Sequence, residues 1–361
     1  MIRFIILSAV IINMVSAAPA SGQSPDNLLL KNYRPVSIYN IPKTDVRKGA
    51  WPVIDVHSHD YAQTPEEIDQ WVKEMDAAGI SKTVIQGYVT GKAFDSLVEK
   101  YKRYADRFIL YCGIDYTGYG TEGYSQRAVA ELERCYQKGA RGVGELGDKG
   151  EGELYSKPAT GKGIHIDDPQ LKTLLQKCGE LNMPISIHIG EDQWMYEKPD
   201  STNDGLMNAG TWHVDMNKPD KLSHAQLMTT LENALKQNPK TTFIACHLAN
   251  CCADLSKLAK LLDEYSNLSA DIAARYSEIA PVPRYAAEFI SKYQRRLLYG
   301  TDMGMDGSMY RITFRILESS DEHFYEQALF GYHWSLYGLA VPKDVLKKLY
   351  HDNAANILKV K

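Results

Sequence analysis

The chain lacks the marks of several protein classes. Its six cysteines, Cys112, Cys135, Cys178, Cys246, Cys251 and Cys252, form no C-x-x-C pair, and their spacing is not that of a zinc ribbon. Four sit inside apolar segments and read as core residues; the adjacent Cys251 and Cys252 read as free thiols. The formal net charge is -4 and no basic stripe interrupts it, so nothing points to nucleic acid as a partner. No short repeat recurs. No glycine-rich loop follows the first predicted strand, which disfavours a doubly wound nucleotide-binding sheet. One run, residues 4–15, is almost wholly apolar, and it is too short for a comfortable membrane span.

That run follows Met1-Ile2-Arg3 and precedes Ser16-Ala17-Ala18-Pro19-Ala20. A positive start, an apolar stretch and small residues, in that order, form a cleaved secretory signal. Residues 1–20 are therefore expected to be removed, leaving a secreted or periplasmic protein with no membrane contact. No cysteine near the cleavage region offers a lipid anchor. Residues 21–50, broken by Pro35 and Pro42, read as an irregular lead-in.

Beyond it, two patterns alternate. Short apolar runs occur at residues 53–59, 83–89, 108–115, 139–146, 184–190, 241–250, 267–274 and 296–303. Continuous runs of this length suit buried parallel strands. Amphipathic helical spacing appears at 65–78, 124–138, 168–181, 225–236, 255–265 and 284–293. Eight β/α units are the number that closes a (β/α)8 TIM barrel, an α/β fold, so residues 51–361 are expected to form a single catalytic domain. Residues 191–223 form an insertion after the fifth run, placed to cover the barrel mouth. From Ser308 onward the chain reads as helical, its many aromatics serving packing.

The chemistry lies at the ends of these runs. His57 and His59 sit two apart at the end of the first, and alternation puts Asp55 on their face. His188 ends the fifth run, His247 lies in the sixth and Asp302 in the eighth. Active sites of such barrels are built where strands end at the C-terminal face. Four imidazoles crowded there call for a metal to order them. Nitrogen and carboxylate ligands suit Zn²⁺ first, with Mn²⁺, Fe²⁺ or Ni²⁺ as alternatives. A bound ion lowers the pKa of its water to roughly 7. Asp302 would then accept the water's proton as general base. Arg275, after the seventh run, is placed to meet an anionic substrate group, and Trp212 and His213 in the insertion are candidates for lining the pocket.

With His57-x-His59, His188, His247 and Gly300-Thr301-Asp302 in these positions, the sequence resembles the amidohydrolase superfamily, in particular the amidohydrolase-related family. Residues 353–358 are similar to that family's closing helix, and the resemblance spans about residues 51–360. It implies that His57, His59, His188 and His247 are metal ligands and that Asp302 is both ligand and general base. On the fourth run, Gly144-Glu145-Leu146-Gly147 is similar to the G-E-x-G of TatD-like relatives, whose glutamate binds or bridges metals. Lys149 lies past the strand end, so a carbamylated lysine bridge is not expected. Glu145 is either a ligand, bridging two ions, or a hydrogen-bond partner of a ligand histidine beside one ion.

The resulting expectation is a metal-dependent hydrolase of a small amide, ester or lactone. A decarboxylase or hydratase of an aromatic-derived carboxylic acid would use the same ligands, and a non-catalytic metal-containing binding protein is the third possibility. The family resemblance makes a homodimer possible.

Overall fold

The structure, a computed structural model, describes residues 24–360. The expected signal at residues 1–20 lies outside the described residues. Residues 24–34 hold one 3₁₀ turn, Leu30–Asn32. Residues 35–50 carry no regular element.

The remainder is a closed (β/α)8 barrel. Its parallel strands are β1 (Val53–Ser58), β2 (Ile80–Gln86), β3 (Phe108–Tyr111), β4 (Val143–Asp148), β5 (Ile185–Ile189), β6 (Phe243–Ala245), β7 (Leu268–Asp271) and β8 (Leu297–Leu298). Direct ladders run β1-β2-β3 and β4-β5-β6-β7-β8. Two seams close the circle. Cys112 and Gly144 donate across the β3–β4 seam, to Gly142 O at 3.0 Å and Cys112 O at 2.9 Å. Val56 and Asp302 donate across the β8–β1 seam, to Tyr299 O at 3.0 Å and His57 O at 2.8 Å. A Cβ on Gly300 would lie 2.8 Å from the Cβ of His57, so glycine there lets β8 approach β1.

Two apolar layers hold the barrel. Ile54, Val56, Val84, Ile109, Tyr111, Ile244 and Leu298 form one buried cluster. Residues from strands this far around the barrel can meet only in its interior. The larger outer cluster packs helices on strands. The first helix, Pro65–Ala78, shows why the sequence specifies them. Thr64 accepts from Glu67 N as cap, Pro65 opens the first turn, Ile68, Trp71, Val72 and Met75 bury one face, and Gly79 at φ 79° closes it.

Several expectations need correction. The sixth and eighth runs are short strands followed by turns, because their buried residues Leu248, Ala249 and Thr301 pack without extending the ladder. A helix over Gly91–Tyr101 has no counterpart among the expected elements; it starts on glycine and buries only Phe94, Leu97 and Tyr101. The C-terminal segment is helical over Gly307–Glu318 and again from Lys343, but residues 319–342 form an irregular loop. The stacked rings of Tyr332 and Trp334, 3.8 Å apart, sit in that loop.

Candidate metal centre

The C-terminal ends of the strands bring His57, His59, Glu145, His188, His247 and Asp302 together. Pairing of β1 with β2 slips between Asp55 and Ser58. Beyond the slip, His57 faces the mouth. Asp55 does not join it; its carboxylate accepts from Thr301 N and Oγ1, at 3.0 and 2.7 Å, and so ties β8 to β1. Strict alternation therefore fails at Asp55.

Glu145 lies at the middle of the group. Its Oε1 is 3.1 Å from His188 Nδ1 and 3.1 Å from His247 Nε2. Its Oε2 is 3.5 Å from His59 Nε2 and 3.7 Å from His57 Nε2. Asp302 approaches from the other side, with Oδ1 3.1 Å from His59 Nε2 and Oδ2 3.8 Å from His247 Nε2.

The far nitrogens of three rings are fixed. His59 Nδ1 donates to Gln86 O at 3.1 Å, and His247 Nδ1 to Ala273 O at 2.9 Å. A carbonyl oxygen only accepts, so each neutral ring keeps its Nε2 lone pair for the site. His57 Nδ1 lies 2.9 Å from Asp271 Oδ2, and both groups are fully buried. Asp271, not Asp55, meets the far nitrogen of the His57 ring. The available signal was an acidic residue inside the apolar run 267–274, a buried charge that demands a partner.

Electrostatics follow from this crowding. Burial pushes Glu145 and Asp302 upward, but the surrounding imidazoles outweigh it: Glu145 is held well below the usual carboxylate range and Asp302 at about 2. Burial likewise opposes charge on His59 and His188, yet the neighbouring carboxylates raise both to about 9. The carboxylates are thus anions balanced by ring protons, which a bound cation would displace.

The residues fit a divalent metal. The Nε2 atom of His57, turned toward Glu145 and Asp302, is buried and has no hydrogen-bond partner. His57, His59 and Glu145 offer ligand atoms within 4.8 Å of one another; so do Glu145, His188 and His247, and so do His57, His247 and Asp302. Cys246 also lies within 4.8 Å of donor atoms of His57 and Asp271, but burial pushes its thiol well above the usual range, leaving nitrogen and oxygen as the donors.

His247 opens an unusual turn. His247, Leu248, Ala249 and Asn250 all have φ between 52° and 58°, a left-handed conformation costly for side chains of this kind. The surroundings over-determine it. His247 N donates to Asp271 Oδ1 at 2.8 Å, and Asn250 Nδ2 donates to Ile189 O and Gly190 O at 3.1 Å each. Asn250→Ala is expected to cost about 2–4 kcal/mol, through lost buried bonds and a residue less tolerant of this φ. Urea unfolding of the two proteins measures it.

Above the group lies a cavity of 500 Å³, walled by Tyr88, Tyr155, Met195, Trp212 and Met303. Trp212 of the insertion therefore lines the mouth, whereas His213 is exposed and is not among the lining residues. Arg275 lines the cavity too, but its guanidinium is held by Asp192 at 2.8 Å and by Asn250 Oδ1 at 2.5 Å. Lys149, absent from the predicted set, also lines it, with Nζ 2.5 Å from Glu191.

A barrel with a histidine–carboxylate cluster at its C-terminal mouth defines a class of metal-dependent enzymes. The family description amidohydrolase matches residues 51–360, and the chain belongs to this family. No curated protein matches it. Among solved structures, the chain is similar to 2,6-dihydroxybenzoate decarboxylase from Rhizobium, with 14% identity, a TM-score of 0.52 and coverage of 86% of this chain and 99% of that one. A dihydroxybenzoic acid decarboxylase from Polaromonas, solved with manganese and 2-nitroresorcinol, gives 13%, 0.54, 86% and 97%. The 5-carboxyvanillate decarboxylase from Novosphingobium aromaticivorans, with manganese and a nitrobenzoic acid, gives 14%, 0.50, 88% and 99%. At these identities the likeness establishes the fold.

Proposed function

We propose that the protein is a metal-dependent hydrolase of a small amide, ester or lactone, in which His57, His59, His188, His247, Glu145 and Asp302 would hold one or two divalent ions. One observation carries this reading: the two oxygens of Glu145 divide the four histidines into two pairs, His57 with His59 and His188 with His247. Each pair with Glu145 is a group of donors that could hold one cation. Zn²⁺ and Mn²⁺ both suit nitrogen and carboxylate donors.

Ions bound there would supply Lewis-acid polarisation of a carbonyl oxygen and a water acidic enough to ionise near neutral pH. The chain's own groups do the rest. Asp302, an ionised carboxylate, accepts the proton of the attacking water and returns it to the leaving oxygen or nitrogen as that bond breaks. Asp271, Gln86 and Ala273 hold the ring tautomers. Tyr88, Tyr155 and Trp212 offer apolar surface beside the reacting carbonyl.

A second reading, decarboxylation of an aromatic acid, is favoured by those same aromatic walls beside the Lys149 ammonium, and by the named activities of the similar structures. Elemental analysis and parallel assays separate the two. One or two ions per chain, with hydrolysis of an aryl ester or lactone that is lost to a chelator and restored by Zn²⁺ or Mn²⁺, are expected. Release of CO2 from 2,6-dihydroxybenzoate without ester or lactone cleavage would replace hydrolysis by decarboxylation. Failure to take up any metal would overturn both.

A further inference from the structure

A larger cavity lies at the other end of the barrel. It measures 770 Å³ and opens around the N-terminal ends of β3, β4 and β5, beside the closing helix Asn353–Leu358. Its floor is apolar, with Phe108, Leu110, Leu181, Met183 and Leu358. Its rim is cationic, with Lys82, Lys102, Lys138, Arg141 and Lys359, and no aspartate or glutamate lines it. Among the described residues, Lys102 alone of the five has an ion-pair partner, the exposed Glu99 at 3.3 Å. Arg141 instead lies over the Tyr136 ring at 5.5 Å and donates to Ala140 O at 2.8 Å. Lys82 donates to the backbone oxygen of Asp106 at 2.6 Å.

Five cations around one opening stand out on a chain whose net charge is -4. Like charges brought together without acidic partners repel, and a bound anion relieves that repulsion. An anion alone would leave the floor unused. A membrane surface is flat, whereas this site is concave and has the volume of a small-molecule pocket. We infer that the cavity binds a small amphiphilic acid, an alkyl or aryl carboxylate, its carboxylate among the rim cations and its apolar body on the floor. This site is separate from the metal centre and does not depend on the reaction proposed there.

Calorimetric titration of the full chain with monomeric dodecanoate tests it, beside dodecanol and inorganic phosphate. Dodecanoate is expected to bind at about one per chain, at least about tenfold more tightly than either control, because head and tail both contribute. The variant Lys138→Glu/Arg141→Glu, changed only at exposed positions, should weaken dodecanoate by about tenfold or more. Its melting temperature should fall by no more than a few degrees, through loss of the Arg141 contacts with Ala140 O and Tyr136, and its metal content should stay unchanged. Equal affinity for dodecanoate and dodecanol, equal affinity for dodecanoate and phosphate, or indifference to the charge reversal would overturn the proposal. So would binding to phosphatidylglycerol vesicles without binding of monomeric dodecanoate.

Discussion

Replacing Asp302 by Asn is expected to lower kcat by about two to four orders of magnitude, the range by which a positioned base accelerates proton transfer. The imidazoles around Asp302 outweigh its burial and hold it ionised at about 2, so it is an acceptor throughout the neutral range. Asparagine keeps the shape and one ligand oxygen but cannot take a proton. The backbone supports this choice of variant. Asp302 has φ 56°, and asparagine tolerates the left-handed region where alanine is strained. Its carbonyl also keeps the bond from Tyr61 Oη, at 2.9 Å. Fold and metal content should therefore be retained while turnover is lost. A variant with full metal content and a kcat within about tenfold of the parent would remove Asp302 from the role of base. The same variant separates an enzyme from a binding protein, since a binder would have no turnover to lose.

Much of this arrangement is legible in the sequence because each barrel strand declares itself twice. A continuous apolar run marks burial, and a polar residue at its end marks the mouth. That is how His57, His59, Glu145, His188, His247 and Asp302, scattered over residues 57–302, can be read as neighbours. Periodicity also places the helices Pro65–Ala78 and Tyr124–Lys138 to the residue. Legibility ends where the chain leaves regular geometry. Burial makes Leu248 and Ala249 look like strand, yet they form the left-handed turn that aims His247. The slip in β1 turns Asp55 toward Thr301 and gives the His57 ring to Asp271 instead. Such pairings depend on contacts between distant strands, and a period of two residues carries no information about them. Arg275 shows the same limit. Its position after β7 marks it as a candidate anion anchor, but Asp192 from the insertion occupies the guanidinium.

If Glu145 bridges two ions, replacing it by Gln should reduce the metal content from about two ions per chain to about one or fewer, and lower kcat by about 10³-fold. Each oxygen of Glu145 serves a different histidine pair, so the amide loses the negative charge and one of the two acceptors together. Its NH2 group must point either at His188 and His247 or at His57 and His59, presenting a donor where a cation would sit. Asp302 and, at 3.7 Å from His188 Nε2, Glu191 would remain as the carboxylates facing the four imidazoles from the cavity side, Asp271 lying behind His57. Elemental analysis beside steady-state kinetics distinguishes the bridge from a supporting role. If Glu145 merely orients His188, the glutamine variant should keep its full metal content, its affinity falling only about 10–100-fold as for partners that hold a ligand ring. Loss of metal from both histidine pairs would instead require that Glu145 serve both, because a carboxylate bonded only to His188 could disturb the site of His188 and His247 but would leave that of His57 and His59 intact.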